Sequence, residues 1–386
     1  MSRRQLVALF LCMALPFAAG NAQLGLLSVY LTRLGVDSAS IGNYVALIFL
    51  ALAAGTILGG WLSDRFQRRK AILIALTALM VPLSLLMSQT TQVWQLIVLL
   101  VIVWLLGGIA IAMVNILAGL FAADDERGKI FGLLGVAVNV GSMLGGMILG
   151  FVVQRWGFTT LFVVVAALDV ITPIAGCFLE DKAIVPERSR AASTAQIGLI
   201  LGLSFYLILV ASLLVNMAGA FVNLGRPLVM DKAGFDSAAI ASVITVGAAV
   251  SIPVPFLLGW LSDRLGRYRL IVLSYLLAGA SVALVGVSIM LWHFWFAALL
   301  GAGINAGNAV TSALVTDLVP PQGLGRALSW LNATGWVGGV VGFAIVGYAI
   351  QGIGLTSTFM VGGILPVLGI LLLVRIRSFQ LAPVAG

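Results

Sequence analysis

Apolar runs of membrane-crossing length, parted by short polar breaks, recur along nearly the whole chain. Crossing a bilayer as a helix takes roughly 20 consecutive apolar residues. Such runs are expected at 6–31, 39–62, 70–89, 93–120, 130–153 and 158–179, then at 197–222, 238–260, 270–290, 294–319, 327–350 and 355–374. A transmembrane barrel would alternate apolar and polar residues over stretches of about ten, and these runs do not alternate. The 386 residues are 61% hydrophobic and only 9% charged, against about 25% charged in a soluble domain. A water-soluble enzyme, a disordered chain and a disulfide-bonded secreted scaffold are thereby excluded. What remains is an all-α integral membrane protein with twelve transmembrane helices.

The first run needs separate treatment, because Arg3 and Arg4 precede it and Ala18-Ala19-Gly20 has the small residues of a cleavage site. Its apolar character continues to Leu31, too far for a signal peptide. It is read as an uncleaved first span. Cys12 and Cys177 lie in apolar surroundings without metal or redox spacing, and His293 is the sole histidine. No metal or cofactor is expected. His293 sits among the loop aromatics Trp292 and Trp295, which with Trp94 and Trp156 suit interfacial anchoring. It is read as a surface residue rather than a proton relay.

The net charge of +8 would suggest nucleic acid on a soluble protein; here it encodes topology. Seventeen of the 21 Lys and Arg residues fall on one side of the predicted spans, leaving Arg33, Arg155, Arg226 and Lys232 for the other. Basic loops stay in the cytoplasm during insertion. Both termini are therefore expected to be cytoplasmic, in the cell membrane. The longest polar segment, 180–196, separates six spans from six. The expected organisation is a bundle over 1–180, a cytoplasmic linker over 181–196 and a second bundle over 197–386.

The two halves repeat at an offset of 199 residues. Gly35-Val36-Asp37-Ser38-Ala39 falls on Gly234-Phe235-Asp236-Ser237-Ala238, and Gly60-Trp61-Leu62-Ser63-Asp64-Arg65 on Gly259-Trp260-Leu261-Ser262-Asp263-Arg264. Arg68 meets Arg267, and Arg127 meets Arg326, at the same offset. Shared composition could mimic one block, but not a common register across four. Duplicated helical halves are how alternating-access transporters frame a central site.

With these motifs in place the chain resembles the major facilitator superfamily over essentially its full length. The carrying element is Gly60 to Lys70 between spans two and three, with a second copy from Gly259 to Arg269. The family pattern has glycine where Gln67 stands; the second copy keeps it as Gly266. The resemblance implies two pseudo-symmetric six-helix bundles, with Asp64 near the start of span eleven and, by symmetry, Asp263 near the start of span five. A carboxylate there would meet the partial positive charge of a helix N-terminus. Arg65, Arg68, Arg127, Arg264, Arg267 and Arg326 would then form breakable salt bridges between the halves, a cytoplasmic gate. Gly60 and Gly259 are expected to allow close backbone packing. Arg69 and Lys70 are read mainly as topology signals.

The resemblance also implies a cavity lined by spans one, four, seven and ten. Those spans carry small or polar residues at helical spacing: Asn21, Trp104 and Asn115, then Asn216, Asn223, Arg226, Asn305 and Asn308. Asn139, Asn332 and Trp336 on spans five and eleven join them. Amides can equally serve as interhelical glue, so both readings stand for each Asn. A lining of amides and indoles suits a neutral or amphipathic organic solute. Several buried cations would be wanted for a strongly anionic one, and only Arg226 is available.

Asp169 falls in the middle of span six, where an ionised side chain costs about 2.5–3.5 kcal/mol on insertion scales. It is either a proton carrier or a neutral acid hydrogen-bonded to a neighbouring helix. Two departures bear on coupling. Proton-driven drug antiporters of this family carry an Arg in span four, and the matching position here is Trp104, ahead of Gly107-Gly108. Their Gly-Pro-x-x-Gly-Gly element of span five reads Gly141-Ser142-Met143-Leu144-Gly145-Gly146 here.

The leading expectation is a secondary transporter, functional as a monomer in the lipid bilayer, that exports an amphipathic small molecule coupled to protons. A facilitator or importer of a neutral solute such as a sugar is the alternative. A non-transporting membrane receptor is a third reading, disfavoured by the two gate aspartates. No nucleophile–base pair supports an enzyme.

Overall fold

The structure, a computed structural model, describes residues 2–121, 127–181, 203–319 and 321–381, apart from the side chains of 127, 128, 255, 256, 259, 263, 321–326 and 375–381. Among the described residues the backbone is helical between short turns, with no strand. Spans one to four are Arg3–Arg33, Ser38–Phe66, Arg69–Met87 and Val93–Phe121. Spans five and six form one stretch, Arg127–Cys177, which changes direction at Gly157, where φ is 82°. Span seven is Leu203–Ala220, a π turn Phe221–Gly225 and Arg226–Lys232. Span eight consists of Ser237–Val250 and Val254–Leu265. Spans nine to twelve are Arg267–Val287, Leu291–Leu318, Pro321–Ile353 and Leu355–Leu381.

Two expectations are corrected here. Span seven extends to Lys232 rather than ending near 222, and it is not uniform: Pro227 follows the π turn. Proline lacks an N–H, and its ring collides with the carbonyl four residues back. A locally widened turn accommodates that collision. Span eight is not continuous. Ser251, Ile252 and Pro253 form a turn inside it, in the sequence Ser-Ile-Pro-Val-Pro. Hydropathy misses both features because it averages over a window, and long apolar stretches flank each break.

The repeat is visible in local geometry. Spans one and seven both end on a left-handed glycine, Gly35 at φ 81° and Gly234 at φ 86°. In each case the next N–H reaches back five residues, from Val36 to Leu31 and from Phe235 to Met230, which closes the helix end. The repeat mates Asp37 and Asp236 then cap the following helices, accepting from the N–H groups of Ser40 at 3.0 Å and Ala239 at 2.7 Å. The Ser40 hydroxyl and amide hold the Asp37 carboxyl below its ordinary value.

The chain forms two compact units: Met1–Val185 with Met230–Ile252, and Pro186–Val229 with Pro253–Gly386. The segment Met230–Ile252, from the second repeat, thus belongs to the first unit. Leu9, Cys12, Leu73, Met113, Leu117 and Leu134 are central to the core of the first unit. Ile208, Val215, Ile271, Tyr275 and Val310 play that part in the second. Large apolar side chains such as Ile57, Met147, Phe151 and Leu371 face outward, as a lipid-embedded perimeter requires.

Span five is packed by two glycine pairs on adjacent faces. A Cβ on Gly141 or Gly145 would strike the backbone carbonyl of Ala14 or Ala18 in span one. A Cβ on Gly146 or Gly150 would instead meet Thr245 or Ala241 in span eight. Spacing of four places each pair on one helix face, and small residues there let helices approach closely.

Candidate functional site

In the first unit, several predicted lining residues are engaged with neighbouring helices. Asn21 Nδ2 donates to Ser142 Oγ at 2.6 Å, and Ser142 Oγ donates to the Val138 carbonyl at 2.8 Å. The serine that replaces the family's proline therefore ties span one to span five. Removing the hydroxyl by Ser142→Ala should cost about 0.6–1.7 kcal/mol, the range for hydrogen bonds between membrane helices. Thermal unfolding of the purified protein in detergent would measure it, and no loss of stability would refute the tie. Trp104 packs near Phe49, ring centroids 5.6 Å apart, and beside Gly20. Asn115 and Asn139 are half-buried, and Asn139 Nδ2 donates to the Gly135 carbonyl within its own helix.

Asp169 is buried, 4% exposed, and accepts from Ser84 Oγ of span three at 2.7 Å. Its partner was not singled out from the sequence; a serine in an apolar run is the only cue. A hydroxyl can donate to a carboxylate or accept from a carboxylic acid, so this contact can serve either protonation state.

In the second unit, Asn308 Nδ2 of span ten donates to Asn216 Oδ1 of span seven at 3.2 Å, and Asn216 Nδ2 donates to the Ser212 carbonyl at 2.8 Å. Two of the predicted amides are thus brought together. Asn223, Asn305 and Asn332 are exposed and Trp336 is half-buried. Gly338 and Gly342 of span eleven approach Asn216 and Ala220 of span seven, which fixes that side of the site. Arg226, immediately after the π turn, is 8% exposed.

The loop motif is more varied than its sequence implies. Asp64, Arg65 and Arg68 are exposed. Among the described residues nothing lies within 4 Å of a Cβ built on Gly60; close packing against span four falls instead to Gly55 and Gly59. That corrects the expected role of Gly60. Arg69 is 2% exposed, its Nε donating to Ser63 Oγ at 2.7 Å and its Nη1 lying 3.8 Å from Asp181. Lys70 Nζ donates to the Cys177 carbonyl at 2.8 Å. Both do more than set topology, because they join the start of span three to the end of span six. In the second copy, Arg264 lies over the Trp260 ring at 3.9 Å and Arg267 Nε pairs with Asp317 at 2.8 Å. The side chains of Arg127, Asp263 and Arg326, Gly259 of the second motif copy and most of the 181–196 linker lie outside the described residues.

At the Gly35 end of the first unit, residues of the two repeats meet. Arg33 Nη2 pairs with Asp231 at 2.8 Å, and Gln154 Nε2 donates to Asp236 Oδ2 at 2.7 Å. Thr245 Oγ1 reaches the Met143 carbonyl at 3.4 Å. His293, at the start of span ten, accepts on Nδ1 from the N–H groups of Ile289 and Met290 at 3.3 Å. It serves as a helix cap.

Two repeats of six membrane helices, with matching loop motifs and a paired-amide cluster in one of them, define a duplicated multi-span membrane transporter. A profile describing the Major Facilitator Superfamily matches residues 9–285 and again 208–384. The chain belongs to the major facilitator superfamily. It is 28% identical over 382 residues to a multidrug resistance protein, MdtG, of Klebsiella pneumoniae (strain 342), covering 93% of this chain and 90% of that protein. It is 24% identical to the 4-hydroxybenzoate transporter PcaK of Pseudomonas putida, covering 92% and 88%. The solved nucleoside transporter NupG shares the fold, with a TM-score of 0.81 at 13% identity over 96% of this chain and 99% of that one.

Proposed function

We propose that this transporter exports an amphipathic organic compound in exchange for protons, by alternating access across the cell membrane with both termini cytoplasmic. The contact carrying this reading is the Gly35 end, the outer side in that orientation. Arg33–Asp231 and Gln154–Asp236 hold first-repeat spans to second-repeat residues through bonds that are largely exposed. Exposed ion pairs contribute about 0–1 kcal/mol, little enough to open and close repeatedly. On the opposite side Asp64 and Asp263, with Arg65, Arg68, Arg127, Arg264 and Arg326, would form the reciprocal gate. The relation to multidrug resistance proteins supports export of an amphipathic compound.

Asp169 is the proposed proton site, with Ser84 holding it in both protonation states. Asp169→Asn keeps the shape and can still bond Ser84. In proteoliposomes, an imposed pH gradient should drive dye export by the natural protein. The variant should fold normally and lose proton-driven export at least tenfold, while a full pH-driven rate would refute the assignment. A second reading, facilitated passage of a neutral solute, draws on the Asn216–Asn308 amide pair. It predicts flux indifferent to the pH gradient.

A further inference from the structure

Arg226 has an unusual standing among the charges of this protein. It is 8% exposed, and among the described residues no carboxylate or other hydrogen-bond acceptor is recorded for its guanidinium. Arg69, the other buried arginine among the described residues, has Ser63 and Asp181. A guanidinium that snorkels to lipid headgroups keeps its tip at the perimeter, whereas Arg226 is largely covered by the protein. Within the second repeat, no acid among the described residues is left over for it. From residue 197 onward the only acids are Asp231, Asp236, Asp263 and Asp317. Asp231 is taken by Arg33, Asp236 by Gln154 and its helix cap, and Asp317 by Arg267. Asp263 belongs to the motif loop at the far end of span eight, with a full helix and a turn between it and the Gly234 end.

A buried cation without a partner is costly, and removing it would relieve that cost. Proteins keep such a group where a ligand supplies the missing charge. The backbone at this point is also irregular: Arg226 directly follows the π turn, beside Gly225, against which the ring of the fully buried Phe359 is packed. π turns are frequent at functional sites. A lone guanidinium suits a single carboxylate, whose two oxygens match its fork.

We infer that Arg226 reads the charge of the substrate, and that the transported compound is an organic monocarboxylate. This rests on the reading of the protein as a transporter of amphipathic solutes and narrows the class. The test uses the purified full chain in detergent, titrated with benzoate, 2-naphthoate and indole-3-acetate, each beside its neutral amide, with thermal stability as readout. At least one acid should stabilise the protein, and its amide should bind at least tenfold more weakly. Arg226→Gln should weaken that acid roughly 10–100-fold, the worth of a hydrogen bond to a charged group. Arg226→Lys should retain part of the affinity.

The ligand-free Arg226→Gln protein should be as stable as the natural one or more so, which a merely structural arginine would not produce. Equal binding of acids and amides, no binding by any of the three acids, or unchanged affinity in Arg226→Gln would each overturn the inference. Stabilisation by phosphatidylglycerol alone, assigning the arginine to lipid, would do so too. If Arg226→Gln fails to fold, the structural role is favoured and the inference falls, unless Arg226→Lys folds with the weakened acid affinity. Proton-driven export without any preference for acids would sink this inference alone. Arg226-dependent acid binding without proton-driven flux would sink the export reading alone.

Discussion

Replacing Gly145 with valine should abolish accumulation of folded protein. A Cβ at this position would run into the carbonyl of Ala18, and one at Gly141 into that of Ala14. A clash with a flexible side chain can be relieved by a rotamer change, but here the obstacle is backbone inside another helix. Spans one and five would have to separate along their contact. Over-packing of cores typically costs about 1–3 kcal/mol, and this site adds the Asn21–Ser142 bond lost on separation. A total above about 3 kcal/mol is expected, enough to remove most of the stability of a marginal fold. Gly107→Ala is the matched control, because nothing lies within 4 Å of the added methyl group. Monodisperse yield in detergent separates the two. Normal yield of Gly145→Val would show that the contact is looser than drawn.

The span plan was legible from hydropathy because lipid demands uninterrupted apolar helices, and the repeat was legible because register survives divergence. Pairings between helices were not. Asn21 reads as a cavity residue and Ser142 as a departure from a motif, yet each is the other's partner 121 positions apart. Ser84 shows the same limit: nothing in the sequence singles it out from other serines in apolar runs, and only packing of span three on span six brings it to Asp169. The breaks at Pro227 and Pro253 had a sequence signal, proline within an apolar run, that hydropathy overrode. Gly60 failed differently. Its motif marked a close approach correctly to within a turn, but the neighbours Gly55 and Gly59 provide it.

The loop motif makes a second large and opposite pair of predictions. Arg69→Gln should destabilise the first unit by about 2–4 kcal/mol, whereas Asp64→Asn should leave stability unchanged and stop transport. Geometry alone would rank the charges otherwise: the Arg33–Asp231 pair is 2.8 Å long and Arg69–Asp181 is 3.8 Å. Burial decides the order. Arg33 is 49% exposed in its side chain and Arg69 only 3%. Water screens the first pair, so it contributes about 0–1 kcal/mol. Loss of the second arginine strands the buried Ser63 hydroxyl and empties a packed space at the joint of spans three and six. Breaking a buried pair costs about 3–5 kcal/mol, and the lower range is expected because Asp181 retains 21% exposure and can rehydrate. Asp64 is exposed, with no such neighbourhood among the described residues; the proposed work of its contacts is to be made and broken between states. Unfolding in detergent together with proteoliposome flux would resolve both. An unstable Asp64→Asn protein, or a stable Arg69→Gln one, would reverse the assignment of anchor and gate within one motif.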